Sequence, residues 1–250
     1  MIRHLKKLSI LLPFVLLTLL GPVVSHADLV YSDGVMRYYD MYGREAKELG
    51  IDVTFYNTHI DWYALKQQGI DFAVIRLGGR GWGGGVLYDD RQTQIFLREA
   101  KQAGIRVGAY FYSTARNPTE ALEEAVYAVT ILNGETLDLP IFLDMEFSGD
   151  YPEGRSDLLN ATARADIIEM FCRAVDAAGY RAGYYVSEAF YRYNLDADAV
   201  SYLPLWLASY TVDNMLPYYV TDFELWQMTD SVRMGGMDGQ TDFNVILPPF

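Results

Sequence analysis

Cysteine and histidine are almost missing from this sequence. It holds one cysteine, Cys172, and three histidines. His4 and His26 fall within the first 27 residues, which leaves only His59 for the rest. A lone cysteine excludes an internal disulfide, and Cys172 with His59 cannot make a Cys/His zinc cluster. Little material remains for a Ser-His-Asp or Cys-His nucleophile. Any hydrolysis must therefore run on carboxylates. Cys172 itself sits in the apolar stripe of "ADIIEMFCRAVDAAG" and reads as core.

Basic residues are scarce too. Lys and Arg number 20 against 33 Asp and Glu, a net charge of −13. Nucleic acid is excluded as a partner, because it needs a basic surface. Simple adhesion to an anionic surface is disfavoured for the same reason. No D-x-D-x-D-G loop is present, so neither a metal nor another cofactor is expected. The stretch "GGRGWGGG" at 78–85 lacks the Lys-Ser/Thr of a phosphate loop. It reads equally as a surface loop or as a cleft wall that carries Trp82. Linkers, low-complexity segments, short repeats and appended modules are not apparent.

What is present begins with the N-terminus. "MIRHLKK" is a basic region, "LSILLPFVLLTLL" an apolar one, and "VVSHA" ends in small residues. This is the pattern of a secretory signal peptide over 1–27, cut after Ala27, and it implies a secreted or wall-associated protein. An uncleaved anchor is the rival, and only then would a stable membrane partner follow. The apolar run is short for a bilayer span and contains Pro13.

Residues 28–49 form a leader of undefined structure. From residue 50 to 250 a rhythm sets in. Strand-like runs "GIDVTFY", "IDFAVIRLG", "IRVGAYFYS", "LPIFLDMEF" and "RAGYYVS" alternate with amphipathic helical runs. "LPLWLASY", "FELWQMT" and "TDFNVIL" bring the strands to about eight. Such alternation means a parallel sheet with right-handed crossovers, and eight strands mean a β/α barrel of TIM type. The last connections are too short for full helices, so the barrel is expected to be irregular. A doubly wound open sheet is the alternative.

The acids sort by position. Function in such barrels gathers at the C-terminal ends of the strands. Asp144 and Glu146 end the fourth strand two residues apart, so they project to one side. Asp52 lies in the first strand and Asp242 in the last, and closure would make those strands neighbours. Four carboxylates thus meet in one mouth. Close carboxylates push each other's pKa values apart, which suits the acid and partner roles of glycoside hydrolysis. The competing reading is a salt-bridged strand end, with Arg76 or Arg80 as the cation. The 20 tyrosines and four tryptophans suit either a core or a groove for a flat polar ligand.

These blocks, "GIDVT…IDW", "GIDFAVIRLG", "AGIRVGAYFYS" with "LPIFLDMEF", and "LWLASY…LWQMT…GMDGQTDFNV", resemble glycoside hydrolase family 25 over about residues 50 to 247. The resemblance implies a flattened β/α barrel and a muramidase. Such an enzyme cleaves the β-1,4 bond between N-acetylmuramic acid and N-acetylglucosamine in peptidoglycan. It also implies Glu146 as general acid, Asp144 as its partner, and Asp52 and Asp242 as the first- and last-strand acids. Tyr112, Trp206 and Trp226 match aromatic positions of the family's groove, with Trp82 and Arg76 as further substrate-binding candidates. Asn57-Thr58-His59 stand where the family often has Gln-Gly before "IDW". Family 18, with its D-x-x-D-x-D-x-E strand, does not fit, because Leu139 and Phe142 occupy acid positions. A non-catalytic glycan-binding barrel is the rival from another class. Oligomeric state is not legible.

Overall fold

The computed structural model describes residues 27–148 and 152–249. The signal-peptide reading lies outside them, apart from Ala27. The chain opens with a hairpin, β1 (Asp28–Ser32) and β2 (Val35–Tyr39), so the leader is an antiparallel pair. Its turn is Asp33-Gly34, both at positive φ (53° and 81°), as a two-residue hairpin turn requires.

The barrel follows. Its elements are β3 (Glu48–Val53), α1 (Trp62–Gln67), β4 (Ile70–Arg80), β5 (Leu87–Asp89), α2 (Thr93–Gln102), β6 (Arg106–Tyr112), α3 (Pro118–Leu132) and β7 (Ile141–Asp144). Then come α4 (Ala161–Ala177), β8 (Ala182–Ser187), α5 (Glu188–Asn194), α6 (Ala197–Val200), β9 (Leu205–Ala208), β10 (Leu225–Val232) and β11 (Thr241–Ile246). The sheet order is β3-β11-β10-β9-β8-β7-β6-β4-β5, and β3 also pairs β4. That last pairing closes an eight-stranded barrel and rules out the open sheet. β5 is an antiparallel flap on β4.

Helices start where side chains can take the orphan N–H groups. Asp61, Asn117, Asn160 and Ser187 each accept from a first-turn backbone N–H of α1, α3, α4 and α5. Pro118 opens α3, where its missing N–H costs nothing. Past β8 the helices dwindle to α5, α6 and a 3₁₀ turn at Val212–Asn214. This is the expected irregularity.

One strand departs from the parallel expectation. β11 runs antiparallel to both β10 and β3, because β10 turns back into it without a crossover helix. Asp242 therefore sits at the start of its strand yet at the same barrel end as Asp52.

Alternation divides the core in two. Outward residues such as Ile51, Ala73, Ile75 and Leu143 pack under the helices. Inward residues Phe72, Val74, Tyr110, Leu139, Phe142, Trp206 and Leu225 plug the barrel. Gly50 is required here: a Cβ would lie 2.2 Å from the Phe72 ring, so only glycine lets that ring fill the interior. The plug is the floor on which the acids stand.

Candidate active site

Asp52 is the penultimate residue of β3, Asp144 the last of β7 and Asp242 the second of β11, all at one mouth. Asp52 and Asp242 are register partners across β3 and β11. β7 is shorter than its apolar run suggests and stops at Asp144. Glu146 lies just beyond it. Met145 still donates to the Tyr185 carbonyl at 3.0 Å, which carries the chain on past the strand end. Further on, Phe147 packs against Phe190 at 5.0 Å, with Arg164 over both rings. Ser148 donates to Asp157 through its hydroxyl at 2.6 Å. These contacts fix the backbone on the far side of Glu146.

Asp52 is the most elaborately held. Its Oδ2 accepts from Gln227 Nε2 and from Asn244 Nδ2, both at 2.8 Å. Each amide is oriented in turn. Gln227 Oε1 accepts from the Tyr185 and Tyr210 hydroxyls at 2.9 and 2.7 Å. Asn244 Oδ1 accepts from Trp206 Nε1 at 2.8 Å. Asp242 faces Asp52 across the seam, and burial together with the Asp52 charge pushes Asp242 up to about 8. Burial raises Asp52 as well, against its amide donors.

Asp144 is buried, and its Oδ1 has no hydrogen-bond partner. Burial first, then the Glu146 and Asp52 charges, raise it well above the carboxylate range, while Arg76 opposes them. Glu146 is exposed at its surface yet crowded on the protein side. Burial and the Asp242 charge raise it. The mouth thus works against charge on both groups, one enclosed and one open.

The salt-bridge reading of the acids fails. Arg80 turns to Glu124 at 2.8 Å and Glu123 at 2.9 Å, behind the barrel wall. Arg76 gives its Nε to Asp90 at 3.0 Å and lies over the Phe55 and Tyr56 rings. Among the described residues none of the four acids forms a salt bridge. Arg76 remains close enough to Asp144 to lower its pKa.

The aromatic candidates separate. Tyr112 is the register partner of Asp144, and the Asp144 and Glu146 charges raise its hydroxyl after burial does. Trp206 is buried in the plug, with Tyr185 at 4.6 Å and Tyr110 at 5.7 Å. It reaches the acids through Asn244 rather than through an open face. Trp226 is a correction. It follows the inward Leu225, so parity turns it outward, where it is fully buried against Tyr38 and donates to the Ser209 carbonyl. It offers the mouth no surface. Trp82 is half exposed on the turn between β4 and β5, and its carbonyl accepts from Arg155 at 3.0 Å.

Asn244, Gln227, Tyr185 and Tyr210 were not singled out from the sequence. Asn244 could have been, since it lies two residues beyond Asp242 on the same strand face.

The family profile described as Glycosyl hydrolases family 25 matches residues 51–237. The chain belongs to that family. A curated relative, the autolytic lysozyme of Clostridium acetobutylicum, is 28% identical over 196 residues, covering 78% of this chain and 54% of the relative. This family 25 chain thus spans about half the length of the curated relative it matches. Among solved structures, the modular autolysin LytC from Streptococcus pneumoniae aligns with a TM-score of 0.72 at 23% identity, covering 87% of this chain and 51% of that one. A family 25 glycosyl hydrolase from Bacillus anthracis aligns at 0.68 and 19%, covering 82% and 90%. These alignments share the barrel fold.

Proposed function

We propose that this family 25 chain is a secreted lysozyme, an N-acetylmuramidase acting on peptidoglycan. It cleaves the β-1,4 bond between N-acetylmuramic acid and N-acetylglucosamine. The carrying observation is Asp144: a buried carboxyl oxygen without a partner, beside Glu146, at the C-terminal end of the barrel. A buried acceptor left open awaits a donor from a ligand. The N–H of a substrate acetamido group is such a donor. A relative named autolytic lysozyme and a neighbour solved with a synthetic peptidoglycan ligand support the substrate class.

In this reading Glu146, whose pKa burial and the Asp242 charge raise, gives its proton to the glycosidic oxygen as the C1–O bond breaks. The acetamido carbonyl oxygen closes on C1, and Asp144, ionised in the complex, accepts the acetamido N–H and steadies the developing positive charge. Water then opens the ring intermediate and returns its proton to Glu146. Asp52 and Asp242 hold the sugar or tune the pair. Direct attack by water is the competing route, and the first-formed anomer, read by NMR, separates the two.

The test is Glu146→Gln. The variant keeps its fold and loses wall lysis, and near-wild-type lysis would sink the assignment. Mass spectrometry of digested peptidoglycan checks the bond. New reducing ends fall on N-acetylmuramic acid, and reducing ends on N-acetylglucosamine would refute it.

A further inference from the structure

A second ring of aromatic residues lies outside the acid cluster. α5 starts straight after β8, and Glu188 in its first turn bridges two loops. Its Oε2 accepts from Ser209 Oγ at 2.7 Å and its Oε1 from the Tyr219 N–H at 2.9 Å. One turn on, the Arg192 guanidinium lies 3.4 Å over the Tyr219 ring and 4.8 Å over the Tyr193 ring. Tyr218 meets Tyr219 edge-on, with centroids 4.9 Å apart. Next to Ser209, Tyr210 sends its hydroxyl to Gln227, which holds Asp52. Contacts therefore run unbroken from Asp52 through Gln227 and the Tyr210–Ser209 corner to Glu188, Tyr219, Arg192 and Tyr193.

Those outer rings face solvent: Tyr193 is 70% exposed, Tyr218 82% and Tyr219 61%. Exposed side chains usually lose rotamer freedom when they bind. Here Arg192 and Glu188 have already fixed Tyr219, and rigid rings bind with less loss. A tyrosine presents an apolar face with a polar tip, which matches a pyranose with its C–H face and hydroxyl rim. The net charge of −13 disfavours an anionic lipid surface. Continuity with the mouth favours the polymer that enters it.

We propose that Tyr193, Tyr218 and Tyr219 form an accessory glycan site that grips the peptidoglycan strand several sugars from the bond being cut. The proposal rests on the muramidase reading for its ligand. Retention is measured separately from cleavage, in a Glu146→Gln background, by co-sedimentation with purified sacculi. The triple variant Tyr193→Ala/Tyr218→Ala/Tyr219→Ala binds sacculi about tenfold more weakly, a loss of about 1.4 kcal/mol. Phenylalanine at the three positions restores most of the binding, because the ring faces survive. With Glu146 present, the alanine variant has a raised KM on long glycan and little change in kcat or in turnover of a tetrasaccharide.

Sacculus binding within twofold of the parent overturns the proposal, as does an equal loss on the tetrasaccharide. Lost binding to phosphatidylglycerol vesicles with intact sacculus retention would assign the rings to a membrane instead and overturn it as well. If the parent releases no muramic-acid reducing ends, the chemistry fails while the retention result stands by itself.

Discussion

Asp52 and Asp242 face each other in antiparallel register across the seam that closes the barrel. Two amide N–H groups reach Asp52 Oδ2 and favour its charged form, and that charge together with burial raises Asp242.

Its pH signature follows from the sign of the shift. Folded Asp242 keeps its proton up to about pH 8. Unfolded, it releases it near pH 4, an ordinary value of about 3.9. Between those limits the folded state binds more protons, so stability is fullest below pH 4 and falls as pH rises toward 8. Asp242→Asn removes the pair's share of that slope. Urea midpoints at pH 4, 6 and 8 check it, and identical slopes in the two proteins would count against a raised Asp242.

Asn244 is predicted to matter as much as an acid. Asn244→Ala takes a donor from Asp52 and strands Trp206 Nε1, both in buried surroundings. Losing a buried partner costs about 1 to 3 kcal/mol. Wall-lysis kcat should fall about 10²-fold, as for other preorganised donors. Denaturation and initial rates together decide it; a variant as active as the parent would show that Asp52 needs no such support.

Asp144→Asn should separate activity from stability. The native carboxyl is enclosed and raised by its neighbours, an unfavourable state for the fold. A neutral amide relieves that penalty, so the midpoint rises. The amide oxygen can still accept the acetamido N–H but carries no charge to steady the cationic intermediate, so kcat falls about 10²- to 10³-fold. Such opposition marks a residue kept for function. A destabilised variant of unchanged kcat is the contrary result.

Arg80→Ala tests the wall behind the mouth. Arg80 pairs with buried Glu124, which Ser113 also holds and which burial pushes up to about 7. Removing one member of a buried pair costs about 3 to 5 kcal/mol. Arg80 also donates to the Gly85 carbonyl, so the turn bearing Trp82 loosens with it. Calorimetry checks the loss, and a shift of under about 1 kcal/mol would show the pair is well solvated.

Much of this was readable from local pattern. The apolar runs named all eight staves, and the two-residue spacing along strands picked out Asp144 and its neighbour Glu146. The four acids emerged because each sits at the edge of an otherwise apolar run. Register was not readable. Trp206 and Trp226 look alike in "LWLASY" and "LWQMT", yet Leu225 rather than Trp226 aligns with Trp206, so one indole faces in and the other out. The reversal of β11 and the N-terminal hairpin were missed, although "GGMDG" between two strands and Asp33-Gly34 are turn signals for them. Gln227 carried no local sign, because an amide in a strand acquires meaning only when Asp52 arrives beside it.

That arrival has a temporal side. Gln227 and Asn244 reach Asp52 across 175 and 192 positions of sequence. Contacts so distant form late, because long loops must close before any of them can be made. An unfinished molecule therefore carries the acids without their arrangement. On the proposed lysozyme reading, catalytic competence arrives only when the seam is shut, after the rest of the barrel has been made.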